Sequence, residues 1–146
     1  MKTKICAILL TAAILAGLFA QQALVKADDH PTSHEKTKLA VLWTSGDSEV
    51  AHKVCFMYTK AAKKAGWFDE VTLIVWGPSS RILAGDKELQ ASIEKMMAGG
   101  VDVKACVVCA DMYGVADDLR RMGIEVKPMG KPLSEMLKAD WKVLTF

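Results

Sequence analysis

The sequence predicts an α/β protein built on a parallel, doubly wound sheet. Short apolar runs, typical of strands buried on both faces, alternate with stretches of helical periodicity from residue 38 onward. The connections are short, and no hairpin signal such as Asn-Gly lies between two strands. Because parallel neighbours must be joined by a crossover, this alternation favours helices packed on a parallel sheet.

The first 37 residues are predicted to lie outside this domain. Residues 1–4 are basic and residues 5–20 form an uncharged apolar run, which is typical of a secretory signal peptide and too short for a spanning helix. Small-residue cleavage patterns end at Ala20 and at Ala27, and the second is favoured. We therefore expect a signal peptide over 1–27, a polar flexible leader over 28–37, one domain over 38–146, and a periplasmic or secreted protein.

The charge balance argues against nucleic acid as a partner. The chain has a formal net charge of +2, and residues 1–27 supply three lysines and no acidic side chain. Without them 16 basic side chains remain against 17 acidic ones, which leaves a net charge of −1. No basic patch with interleaved aromatic residues remains, so neither nucleic acid nor, after cleavage, a membrane is an expected partner.

The first strand–helix unit begins with the apolar run 39–43. The run ends at Thr44-Ser45-Gly46-Asp47, where Asp47 or Ser48 is a suitable helix cap. The following helix is predicted to end at Gly66, and its apolar face is predicted to consist of Val50, Val54, Met57, Ala61 and Ala65.

The second unit repeats this pattern. Residues 71–76 are rich in β-branched side chains and indicate a buried strand, which ends at Gly77-Pro78-Ser79-Ser80 as a new helix begins. Asp86 is a suitable cap for a further helix that ends at Gly99-Gly100. Its apolar face is predicted to consist of Leu89, Ile93, Met96 and Met97.

The last part of the chain contains three further strands. Residues 101–108 form the third, and a helix closed by Gly123 follows it. Residues 124–126 are a short fourth strand, residues 131–139 a last helix with Pro132 in its first turn, and residues 141–146 a fifth strand.

Ligands of such sheets bind outside the carboxyl ends of the strands. Residues 43–47, 76–80 and 106–109 should therefore meet in one crevice. The predicted substrate-binding residues are Ser45, Asp47, Gly77, Ser79, Ser80 and Met129. Turn and cap roles explain most of the polar ones equally well, and a helix start at Ser79 could also hold an anion.

Cys106 and Cys109 are the predicted catalytic residues. They lie three apart where a strand runs into a helix, a position that favours thiolate over thiol and makes the sulfur a nucleophile or a soft-metal ligand. The competing interpretations are that both are small buried apolar residues, or that the two form a disulfide that only stabilises the fold. Cys55 is predicted to be a core thiol. Three cysteines after export exclude a purely structural disulfide framework and a four-cysteine zinc site.

The chain resembles the DsrE/DsrF superfamily, which includes sulfur-relay subunits of the TusD type and small proteins of the YchN type. The resemblance rests on the first strand with its Thr44-Ser45-Gly46-Asp47 turn, on Trp76-Gly77-Pro78-Ser79, on residues 106–114 and on residues 142–146. It implies a three-layer α/β/α fold with a mostly parallel five-stranded sheet and flavodoxin-like winding. It further implies homotrimers or larger rings and a sulfur-carrying cysteine, matched by Cys106, near a subunit boundary.

These observations favour an exported sulfur carrier or thiol-redox protein. Cys106 would carry a persulfide and Cys109 would resolve it, and the partners would be small sulfur species or a sulfur donor or acceptor protein. No Ser-His-Asp set, phosphate-binding glycine loop or paired-carboxylate motif competes, and no cofactor is predicted. The alternative is a binding module in which the same cysteines, with Met112 or Met129, hold copper or zinc without catalysis.

Overall fold

The computed structural model describes residues 35–146. The signal peptide predicted over 1–27 and most of the leader predicted over 28–37 lie outside the described residues. No helix within the described range is long and apolar enough to cross a membrane.

Five strands form one sheet. They are β1 (Lys38–Trp43), β2 (Glu70–Val75), β3 (Asp102–Cys106), β4 (Glu125–Lys127) and β5 (Trp141–Thr145). All neighbouring pairs run parallel, in the order β4-β3-β2-β1-β5. The predicted five-stranded parallel sheet is confirmed, although its strand order differs from the flavodoxin order 2-1-3-4-5.

Helices connect every pair of consecutive strands. The first, α1, is continuous through three stretches, of which the middle one is π-helical: Ser48–Val50, Ala51–Cys55 and Phe56–Lys64. The others are α2 (Pro78–Gly85), α3 (Lys87–Ala98), α4 (Val107–Met112), α5 (Ala116–Arg121) and α6 (Gly130–Lys138). The third strand therefore ends at Cys106, two residues earlier than predicted, and the helix begins directly after the first cysteine.

The two faces of the sheet are covered unequally. Leu39, Val41 and Trp43 of β1 belong to the larger core, together with buried residues of α1, α2, α3 and α5. The intervening Ala40 belongs to a smaller cluster on the opposite face, against which residues of α6 pack. Helices thus lie on both faces, as a doubly wound sheet requires. The smaller cluster contains Cys106, so the thinner layer carries the thiol.

The predicted buried face of α1 is wrong. Val54 and Met57 are 41% and 63% exposed, whereas the buried residues of the helix are Ala51, Cys55, Phe56, Thr59 and Ala62. A π-helical turn bonds residues five apart instead of four, so the segment Ala51–Cys55 interrupts the 3.6-residue periodicity on which the prediction rested.

Candidate functional site

The carboxyl ends of β1 and β2 are joined by backbone contacts. The amide of Trp76 donates a hydrogen bond of 2.9 Å to the carbonyl of Trp43. A Cβ atom on Gly46 would lie 3.2 Å from the Cβ of Pro78, so the turns that follow the two strands touch. The predicted convergence of these two segments is therefore present.

Ser79 holds this junction together. Its hydroxyl is fully buried, donates to the Trp43 carbonyl at 2.7 Å and accepts the Trp76 amide at 3.0 Å. A hydroxyl used in this way connects two strand ends from inside the protein, so the geometry gives Ser79 a structural role beside the predicted crevice.

We expect Ser79→Ala to lower the free energy of unfolding by roughly 1–2 kcal/mol, because the Trp43 carbonyl loses a buried donor. Urea denaturation measures the change. Ser134→Ala is the matched control, since that hydroxyl is bonded to the Gly130 carbonyl at an exposed site. Equal effects of the two substitutions would contradict the role given to Ser79.

The two predicted catalytic cysteines lie together at the end of β3. Cys106 is the last residue of the strand and the N-cap of α4, with φ −75° and ψ 113°. It is 4% exposed and belongs to the smaller core cluster with Ala40, Ile74 and Met129, and the half-buried Cys109 packs against the same cluster. Both are free thiols, so the site has two sulfurs of different accessibility in one apolar setting.

Cys109 is held in its protonated form. Burial raises the pKa of the Cys109 thiol, and its hydrogen bond and charge interaction with Cys106 raise it further. A backbone hydrogen bond with Gly77 acts in the opposite direction. At neutral pH Cys109 is therefore a neutral thiol that can donate a hydrogen bond to its neighbour.

Gly77 brings the second strand end to the cysteines. It precedes α2 with φ 70° and ψ −133°, a conformation that side chains rarely adopt, and it is half-buried. Because the Gly77 backbone forms a hydrogen bond with Cys109, the turn that follows β2 borders the cysteine pair. Among the predicted substrate-binding residues, Gly77 and Met129 are the two that the structure brings to the cysteines.

The remaining predicted site residues have local partners or none. Asp47 caps α1, with its Oδ1 accepting the Glu49 amide at 2.7 Å, and the Ser45 hydroxyl accepts the Asp47 amide at 3.1 Å. Ser80 is buried, and its hydroxyl has no partner among the described residues. These contacts account for Ser45 and Asp47 as turn and cap residues, and substrate binding by them stays a prediction.

An exposed apolar surface on α4 was not predicted. Val108, Met112 and Tyr113 are 53%, 78% and 40% exposed, and the Arg81 guanidinium lies 5.7 Å from the centroid of the Tyr113 ring. The i, i+4 spacing of Val108 and Met112 beside Cys109 was a usable signal. It was missed because Val108 was expected to lie in a buried strand and Met112 was considered only as a soft-metal ligand.

Cys55 is a core residue, as predicted. Its side chain is fully buried in the larger cluster, and burial raises its pKa to about 12. We expect Cys55 to resist alkylation in the native protein at neutral pH and to react only after denaturation, because the thiolate is the nucleophile. Mass spectrometry of peptides after timed alkylation measures this, and native labelling at a rate similar to Cys109 would contradict it.

Metal ligands are sparse in the described chain. Residues 35–146 contain no group of three or more His, Cys, Asp or Glu side chains that could hold a metal ion. Of the two thioethers predicted as further ligands, Met129 shares the cluster of the cysteine pair, whereas Met112 is 78% exposed.

Comparison with known proteins adds a family and two structures. A family model described as DsrE/DsrF-like matches residues 37–146. A conserved protein of unknown function from Bacteroides thetaiotaomicron, BT1422, is 35% identical, with a TM-score of 0.72 over 75% of this chain and 94% of that chain. The ychN protein from E. coli is 22% identical, with a TM-score of 0.59 over 75% of this chain and 99% of that chain, and supports the fold alone. No curated protein sequence matches.

Proposed function

This chain belongs to the DsrE/DsrF-like family, and from that premise we propose that it carries sulfane sulfur on Cys106, with Cys109 as the resolving thiol. The family suggests a function related to sulfur relay, in which a cysteine passes sulfur between partners. One observation carries the assignment to these residues: two free thiols share a site at the end of β3, and one of them is held protonated beside the other.

Loading is a nucleophilic displacement at sulfur. The Cys106 thiolate attacks the outer sulfur of a persulfide or polysulfide and breaks the donor S–S bond. The outer sulfur remains on Cys106 as a persulfide, and the donor leaves as a thiolate. The protonated Cys109 supports this step, because it can donate a hydrogen bond to sulfur at its neighbour.

The loaded sulfur has two exits. An acceptor thiolate can attack the outer sulfur, so that Cys106 leaves as a thiolate and the sulfur moves without net oxidation of the protein. Alternatively, Cys109 attacks the inner sulfur, hydrosulfide leaves with the Cys109 proton, and a disulfide forms between the two cysteines. Two electrons from an external thiol then restore the pair.

Location and assembly form part of the proposal. The basic and apolar start of the sequence supports an exported protein. An oligomer of the same chain is supported by α6, which has no buried residue and carries Leu137 at 61% exposure. Either a small sulfur species or a donor or acceptor protein fits the chemistry, and the exposed apolar side chains of α4 lie beside the thiols for such a partner.

Cyanolysis of sulfane sulfur tests the proposal. The protein is treated with polysulfide, desalted and reacted with cyanide, which removes sulfane sulfur as thiocyanate. We expect about one equivalent per chain. Prior alkylation of the native protein should lower the yield, because it modifies the half-buried Cys109 beside Cys106 and leaves the buried Cys55 free. An undiminished yield after alkylation would overturn the assignment.

A soft-metal binding module is the second candidate. Met129 is fully buried in the same cluster as Cys106, and two thiols with a thioether form a ligand set that copper(I) prefers. Native mass spectrometry of protein titrated with copper(I) separates the two candidates. One tightly held ion that is lost in Met129→Leu, together with no thiocyanate from polysulfide-treated protein, would favour metal binding.

A further inference from the structure

A cationic cavity lies on the face of the sheet opposite the cysteines. Its volume is about 460 Å³, within the usual range for small-molecule sites. Residues of α1 and α3 line it, and its floor includes Phe56 and Met96, both members of the larger core. Since Cys106 belongs to the other cluster, this cavity is separate from the proposed sulfur site.

Three lysines surround the cavity without acidic partners. Lys60 and Lys64 lie one turn apart on α1, and Lys95 faces them from α3. None of the three forms an ion pair within residues 35–146. Like charges at i, i+4 destabilise a helix. A bound anion would therefore reduce the repulsion between Lys60 and Lys64.

The lysines adjoin apolar surface. Met57 lines the same cavity and is 63% exposed, so its thioether and methylene groups are open to a ligand. Helix C-termini favour basic residues in their last turns, which accounts for Lys64 and Lys95. It does not account for the exposed thioether, so the cavity combines an apolar wall with a cationic rim.

The helix is distorted at this cavity. The π-helical segment Ala51–Cys55 carries His52 into the lining, and the altered periodicity of that segment is what turns Met57 outward. Single π-helical turns occur frequently at functional sites. The distortion therefore shapes the cavity as well as the buried face of α1.

We propose that this cavity binds a small free amphipathic anion, with its apolar body on Met57 and its anionic group between the three lysines. Apart from the lysines, the hydrogen-bonding side chains in the lining are Ser92 and His52, and no carboxylate or carboxamide side chain of the described residues is there to bond sugar hydroxyls or base edges. A plain carboxylate or sulfonate with a hydrocarbon body therefore fits better than a nucleotide. The proposal does not depend on the sulfur chemistry, because the two sites lie on opposite faces.

Decanoate below its micellar concentration is the probe, measured by titration calorimetry with the purified protein. We expect one molecule per chain, binding that weakens with salt, and about tenfold weaker binding in Lys64→Gln or Lys95→Gln. Met57→Gln should also weaken it, and its exposed position allows the variant to fold. Lys138→Gln is the matched control and should bind as the wild type does, as should Cys106→Ser.

Several outcomes would overturn the proposal. Equal binding of acetate would remove the role of the apolar wall, and equal binding of decyltrimethylammonium would remove that of the lysines. Unchanged affinity in Lys64→Gln and Lys95→Gln would place decanoate elsewhere. Lysine-dependent binding to phosphatidylglycerol vesicles without binding of free decanoate would make the cavity a membrane-facing surface.

Discussion

Cys106→Ser is expected to abolish loading of sulfane sulfur, whereas Cys109→Ser is expected to preserve loading and to prolong the loaded state at least about tenfold. The first substitution removes the sulfur that forms the persulfide. The second removes an intramolecular attacker one helical turn away, and a neighbouring nucleophile of this kind has a large effective concentration. Intact mass spectrometry at timed intervals after polysulfide treatment measures both effects.

The pH dependence of the same experiment tests the role of Cys109. Because burial and Cys106 raise the Cys109 pKa, the thiolate that resolves the persulfide is scarce at neutral pH and increases as pH rises. We expect the loaded wild type to lose sulfur faster as pH increases, and Cys109→Ser to show a smaller dependence. Equal lifetimes in the two proteins at alkaline pH would contradict a resolving role for Cys109.

Leu73→Ala is expected to lower the free energy of unfolding by about 2–5 kcal/mol, a large part of the stability of a domain of this size. Leu73 is fully buried. It lies on β2 at the centre of the sheet, between β1 and β3. Truncation removes contacts with helices of the larger core and leaves a cavity. Urea denaturation measures the loss.

Val54→Ala is the control for this prediction. It also shortens an aliphatic side chain, but Val54 is 41% exposed, so a change below about 1 kcal/mol is expected. If Leu73→Ala cost no more than this control, the central strand would not be the buried element that the structure describes.

Much of the fold could be predicted because β1 and β2 are short apolar runs, each followed by its own turn residues. The runs at 39–43 and 71–76 correspond to β1 and β2 within a residue or two. The buried face of α1 could not be predicted, since the π-helical segment changes the periodicity of the helix. No residue type in Ala51–Cys55 indicates that change, which depends on packing against the sheet.

The site was predictable to the extent that topology determines it. Strand ends of a parallel sheet lie at one edge, so the proximity of Cys109 to Gly77 follows from the sequence pattern. The role of Ser79 could not be predicted from that pattern, because its hydrogen bond to the Trp43 carbonyl joins residues 36 positions apart. The cationic cavity also escaped prediction, since Lys60 and Lys95 come together only through helix packing.

The central claim is that Cys106 carries the sulfur. The most direct test is fragment mass spectrometry of wild-type protein treated with polysulfide, alkylated to trap persulfides, digested without reductant and read for the position of the added sulfur. The account predicts an alkylated persulfide on Cys106 and no added sulfur on Cys55. Added sulfur on Cys109 alone, or on none of the cysteines, would contradict it.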